Sequence, residues 1–153
     1  YGPWGRPDMA LFLFTKNIIN GEAIKVFNKG NMARAFTYID DIIESLYRIL
    51  LKPPKKEVNN QSINLNPSNS WAPFKVFNIG SSESNSLMEY ISVLEKLLGK
   101  KAKKIFLDLQ PGDVPETSAN VSSLEDYVSY KPMTNIDAGI SKFVDWYRIF
   151  YKV

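Results

Sequence analysis

Chemistry in this chain falls to arginine, lysine, aspartate, glutamate and tyrosine, because its 153 residues include no cysteine and no histidine. A disulfide scaffold, a zinc site built on Cys or His, and Cys/His or Ser/His/Asp catalysis are thereby excluded within it. The remaining candidates stand in short stretches. Arg34 lies in Ala33-Arg34-Ala35-Phe36-Thr37-Tyr38. Its guanidinium offers a fixed fork of donors that suits phosphate or carboxylate oxygens better than an ammonium does; otherwise it is a solvated arginine on an edge strand. Lys25 and Phe27 are two residues apart, so on a strand their side chains leave the same face. Phe27 could pack on a flat ring there, or be core. Asp113, in Gln110-Pro111-Gly112-Asp113, has the acceptor capacity for two vicinal hydroxyls. Arg6 belongs to a turn punctuated by Gly2, Pro3, Gly5 and Pro7.

The elements that must position these residues follow from periodicity and punctuation. Asp8 stands where an N-cap would, ahead of a helix over 9–20 whose Leu11, Phe12, Phe14, Ile18 and Ile19 form an apolar face. Asn20-Gly21 stops it. Short strands are expected over 24–28 and 34–38, then a helix opened by Asp40 and Asp41, with Ile39, Ile42, Ile43, Leu46 and Leu50 at helical spacing. Pro53-Pro54 ends that helix, and residues 55–73 read as a polar loop. Residues 75–80 have a buried-strand pattern. A helix carrying Leu87, Met88, Ile91, Leu94 and Leu98 closes at Gly99, and 104–108 is another strand candidate. Residues 110–116 read as a loop. Ser122 and Ser123 head a short helix to Val128, and a last helix from Ile136 places Ile140, Phe143, Val144, Tyr147 and Phe150 on one face. Strands alternating with amphipathic helices give an α/β fold.

Composition sets the broad class. With 44% apolar and 23% charged residues and a net charge of +3, the chain is an ordinary globular one. Lys96, Lys100, Lys101, Lys103 and Lys104 form the densest charge cluster. Lysines favour helix C-termini, so this is a solvated helix end, and no nucleic-acid partner is expected. No apolar run approaches the roughly 18 residues of a membrane span, and no signal-peptide pattern opens the chain, which favours the cytosol.

Several segments resemble, in order and approximate spacing, the NAD-dependent nucleotide-sugar epimerases of the extended short-chain dehydrogenase/reductase family, especially its UDP-glucuronate 4-epimerases. They are Tyr1-Gly2-Pro3-Trp4-Gly5-Arg6-Pro7-Asp8-Met9-Ala10, Ile24 to Phe27, Ala33 to Asp41, Phe77 to Gly80, Gln110 to Pro115 and Phe143 to Tyr147. The resemblance implies one domain over 1–153, the C-terminal substrate-binding lobe. Residues 39–51 and 75–80 would pack on the Rossmann lobe, whose main NAD-binding half lies upstream of Tyr1. It also implies site roles. Arg34 and Arg6 would contact the nucleotide diphosphate, Phe27 and Lys25 the uridine, and Asp113 the ribose hydroxyls. Some relatives have arginine where this chain has Gln110, leaving fewer cations here and a direct Gln110 contact in doubt.

The resemblance implies for the whole enzyme a hydride passed to NAD from C4 of the sugar, a tyrosinate as base, and a transient 4-keto intermediate. The family's catalytic tyrosine sits in Tyr-x-x-x-Lys. Tyr1 is followed at that spacing by Gly5 and Tyr38 by Ile42, while Tyr127 with Lys131 is an accidental match late in the chain and followed by Pro132. Nor is there a Gly-rich phosphate fingerprint, since Asn78-Ile79-Gly80-Ser81-Ser82 has a single glycine. The expectation is therefore a UDP-sugar-binding part with no catalytic, cofactor-binding or metal-ligating residue, inactive alone, from a homodimeric parent. The alternatives are a related dehydratase, decarboxylase or reductase fragment, and a non-enzymatic binding module or gene remnant.

Overall fold

A computed structural model of the chain describes residues 1–55, 68, 70 and 72–153. Most of the loop expected over 55–73 lies outside these described residues. The fold is α/β, as the alternation of strand and helix patterns requires. Helix α1 (Ala10–Asn20) leads through Gly21 into β1 (Ala23–Val26). A tight turn over Phe27–Gly30 and strand β2 (Ala33–Arg34) precede α2 (Ile39–Leu51). Beyond them come β3 (Asn85–Ser86), α3 (Leu87–Leu98), β4 (Lys103–Phe106), β5 (Glu116–Thr117), α4 (Ser122–Val128) and α5 (Ile136–Tyr151).

The strands form two small sheets. β1 pairs in parallel with β4, Ala23 opposite Lys103 and Val26 opposite Phe106. β2 is the middle strand of the second sheet, antiparallel to β3 and parallel to β5. The core lies where α1, α3 and α5 pack over β1: Leu11, Phe12 and Ile18 meet Ile24, Val26, Ile91, Leu94, Ile140 and Phe143, all buried. The helix patterns therefore place α1, α3 and α5 correctly. In α5, Ile140, Phe143, Val144 and Tyr147 are buried, while Phe150 lies half-exposed over Trp146.

Several expectations change. Asp8 does not cap α1; Met9 occupies the N-cap without a side-chain hydrogen bond, and Asp8 takes a forked contact from Arg6 instead. The first strand stops at Val26, because Asn28 and Lys29 adopt positive φ and turn the chain back. Gly30 completes that turn at φ 88°, where an added Cβ would stand 2.9 Å from Met88 Sδ. The next strand is confined to Ala33–Arg34, although Ala35 N still donates to Thr117 O at 3.0 Å. Its partner β5 arises at the edge of the expected 110–116 loop. Helix α4 is capped from Asn120, whose Oδ1 accepts from Ser122 N and Oγ, not by the serines acting as caps themselves.

Two elements lack the burial their patterns suggest. Residues 76–79 lie outside any sheet, with Val76 exposed. Helix α2 packs on α4 through a polar face, burying Asp41 and Ser45, while Ile43, Leu46, Tyr47 and Leu50 stand exposed. Asp41 accepts from Tyr130 Oη at 2.8 Å, Thr134 N at 3.0 Å and Thr134 Oγ1 at 3.0 Å. These bonds satisfy a carboxylate that burial would otherwise destabilise. The acidic start of α2 thus ties it to the segment leading into α5.

Candidate functional site

An open cleft of about 510 Å³ lies between α1, β1, β2 and the start of α3. Leu13, Phe14 and Asn17 line it from α1, Ile24 and Lys25 from β1, Phe27 from the turn and Met32 from the stretch just after it. Arg34 and Phe36 come from β2 and just beyond it, Leu87 from α3, and Asp113 from the 110–116 segment. An apolar floor with a few polar groups around it is the usual build of a small-molecule site.

Four of the five residues singled out in the sequence meet here. Lys25 on β1 and Phe27 on the turn after it line the same cleft, which also touches Ile24, while Val26 is buried in the core. Lys25 is exposed and has no carboxylate partner among the described residues. Arg34 Nη1 donates to Ala33 O at 2.9 Å and to Pro115 O at 3.0 Å, and Nη2 to Asp113 Oδ1 at 2.8 Å. The same Oδ1 accepts from Val114 N at 2.9 Å. The parallel pairing of β2 with β5 brings residue 34 beside residues 113–115, far apart in sequence.

Arg6 lies elsewhere. It does not line the cleft; its exposed guanidinium donates to Asp8 through Nε at 3.1 Å and Nη2 at 2.6 Å. That hydrogen bonding holds the Asp8 carboxyl below its ordinary range. Gln110 serves the backbone turn, its carbonyl accepting from Asp113 N at 3.1 Å, and its side chain is off the cleft. The sequence reading missed Asn17, Met32 and Leu87 as lining residues. The α1 period could have found Asn17, an amide between Phe14 and Ile18 of the apolar face; it donates from Nδ2 to Ala23 O at 3.0 Å.

Tyr1 and Tyr38 are poor bases. Burial raises the Tyr1 and Tyr38 hydroxyls above the usual phenol range, with Tyr38 and Asp41 adding to the effect on Tyr1 and Asp40 on Tyr38. A tyrosinate base needs the opposite shift. Among the described residues no group of three or more Asp, Glu, His or Cys is placed to hold a metal, and no helix is long and apolar enough to cross a membrane.

Residues 1–66 match the model of the NAD dependent epimerase/dehydratase family. The similarity to known proteins extends along the rest: Protein CapI of Staphylococcus aureus is 53% identical over 152 residues, covering 99% of this chain and 46% of that protein. Residues 1–66 thus carry the sequence pattern of the NAD-dependent epimerase/dehydratase family. A probable UDP-glucuronate 4-epimerase of Rhizobium meliloti is 41% identical over 153 residues, with 99% of this chain and 45% of the relative covered. Among solved structures, UDP-glucuronic acid 4-epimerase of Bacillus cereus, in complex with UDP-glucuronic acid and NAD, superposes with a TM-score of 0.79 at 32% identity. That match covers 99% of this chain and 43% of the enzyme's. The chain spans less than half the length of these relatives.

The family's dinucleotide finds no fitting cradle among the described residues. The helices that follow strands carry acids in their first turn, Asp40 and Asp41 in α2, Glu89 in α3 and Glu125 in α4. None follows a glycine-rich turn, and carboxylates at a helix N-terminus oppose a pyrophosphate.

Proposed function

We propose that this chain is the nucleotide-gripping portion of a UDP-sugar 4-epimerase acting between UDP-glucuronate and UDP-galacturonate. The observation that carries the reading is the meeting of Lys25, Phe27, Arg34 and Asp113 around one cleft. The 32% identity to a UDP-glucuronic acid 4-epimerase over 99% of the chain supports the substrate class. In this reading Phe27 packs on the uracil ring and Arg34 meets the diphosphate with its remaining donors. Asp113 Oδ2, without a protein partner among the described residues, takes ribose hydroxyls, and Lys25 adds a cation at the rim. Arg6 reaches the diphosphate only by leaving Asp8.

NAD supplies the acceptor and donor of hydride for the whole protein, held by residues outside this chain. None of the residues here moves a proton in the reaction, in keeping with the raised Tyr1 and Tyr38 hydroxyls. Their task is to hold the nucleotide firmly while the hexose turns. Residues 39–51 and 75–80 lean on the remainder of the protein, which covers the apolar face of α2. The isolated chain therefore has no turnover.

The test uses the whole protein that contains this chain. Incubated with UDP-glucuronate and NAD and followed by proton NMR, it should form UDP-galacturonate, and UDP should inhibit competitively. Turnover of a different nucleotide sugar would remove the glucuronate assignment alone. Failure to bind UDP at all would remove the reading of the cleft.

A further inference from the structure

We propose that Asp113 is a positioning residue for Arg34, fixing the guanidinium fork that grips the phosphates, in addition to any contact it makes with ribose. This rests on the reading of the cleft as a UDP site. Arg34 is a long side chain at the rim, with 25% of its side-chain surface exposed, and Asp113 has 35% exposed. Left to itself such an arginine samples many rotamers, and a ligand would have to restrict them. Here three donors are already engaged. Nη1 is fixed by the carbonyls of Ala33 and Pro115, and Nη2 by Asp113 Oδ1. Nε and the second Nη2 hydrogen have no protein acceptor among the described residues, and Arg34 lines the cleft.

Asp113 is itself fixed. Its Oδ1 accepts from Val114 N at 2.9 Å, and its backbone N donates to Gln110 O at 3.1 Å across the turn made by Gly112 at φ 83°. Ala33 N donates to Pro115 O at 2.8 Å, so the loop and β2 are tied by backbone as well. The carboxylate could instead compete with phosphate for the guanidinium. Both groups are partly exposed, so screening weakens that competition, whereas a preformed fork spares the ligand much of the rotamer cost. Positioning therefore outweighs competition.

The experiment is titration calorimetry on the whole protein with UDP and with 2′,3′-dideoxyuridine diphosphate, which lacks the ribose hydroxyls. Asp113→Ala should weaken the dideoxy ligand about tenfold, and UDP by at least that factor. In an Arg34→Ala background the second substitution should change the affinity for the dideoxy ligand less than about twofold. Asp113→Asn, whose amide oxygen can still accept from Nη2, should recover much of the loss. Weakening of UDP with the dideoxy ligand unaffected would leave Asp113 as a ribose acceptor only and overturn the proposal. So would tighter binding of the dideoxy ligand by Asp113→Ala, or a loss of that ligand that persists without Arg34. A wild-type protein that binds neither ligand overturns the UDP reading and the positioning role together.

Discussion

At the scale of single residues, the cleft separates anchoring from recognition. Arg34 already gives hydrogen bonds to two carbonyls and a carboxylate, so replacing it disturbs both the loop and the ligand. Arg34→Ala in the whole protein should weaken UDP by about 2–5 kcal/mol, toward the lower end because the side chain is partly exposed. Arg34→Lys keeps the charge and loses the fork, so it should not restore affinity. Calorimetry reads both, and an unchanged affinity in the alanine variant removes Arg34 from the site. Phe27 offers a different check. If it packs on the base, Phe27→Ala should weaken UDP by roughly 1–3 kcal/mol while leaving inorganic pyrophosphate unaffected. Equal loss for both ligands would mean that Phe27 supports the fold of the cleft and not the base.

At the scale of elements, two buried carboxylates join pieces that sequence periodicity treats as separate. Glu95, on the last turns of α3, accepts from Lys101 Nζ at 2.9 Å, Ala102 N at 3.0 Å and Lys104 Nζ. Burial pushes its carboxyl up, but hydrogen bonds from Lys104, Lys101 and the Ala102 backbone outweigh this and hold it at about 2. The folded value thus lies below the unfolded one near 4.3. The stabilisation is complete above the unfolded value and is lost as pH falls toward about 2. Denaturant melts from pH 6 to pH 2 should show an acid limb worth up to roughly 3 kcal/mol, and Glu95→Gln should flatten it. An identical acid limb in that variant would assign the loss to other groups. Asp41 makes the second join; Asp41→Ala leaves Thr134 N without its acceptor and should cost about 1–3 kcal/mol, read as a lower melting midpoint.

Neither join was legible in advance. The lysines beside Glu95 read as a solvated helix end, and Asp41 as a helix-start charge, because sequence gives the spacing along one helix and not the acceptor that folds onto it. The helices α1, α3 and α5 were legible for the same reason: their apolar period faces a core within the chain. Lys25 and Phe27 do line one cleft, but Phe27 does so from the turn after β1 and not by strand alternation. Arg6 was singled out with no means of seeing that Asp8, two residues away, would engage its Nε and Nη2.

At the scale of the molecule, the two faces of α2 are reversed relative to a core helix. Ile43 is 57% and Leu50 75% exposed, while the polar Ser45 is fully buried, its Oγ donating to Asp41 O at 2.7 Å. The core of α1, α3, α5 and β1 is complete without α2, so among the described residues a satisfied core stands beside an apolar face turned outward. Such a face, with Leu46 and Tyr47 between, favours association with whatever apolar surface is available. Under the proposed function that surface belongs to the rest of the protein, and the chain by itself should self-associate. Leu46→Glu with Leu50→Glu should render the isolated chain monomeric in sedimentation velocity, since charges resist burial. The same pair in the whole protein should lower its stability by at least roughly 3 kcal/mol, because two leucines each contributing about 1.5–3 kcal/mol when buried are lost. The opposite signs in the two contexts identify a covered face. A monomeric wild-type chain, or a whole protein indifferent to the pair, would mean that α2 meets water in the working molecule.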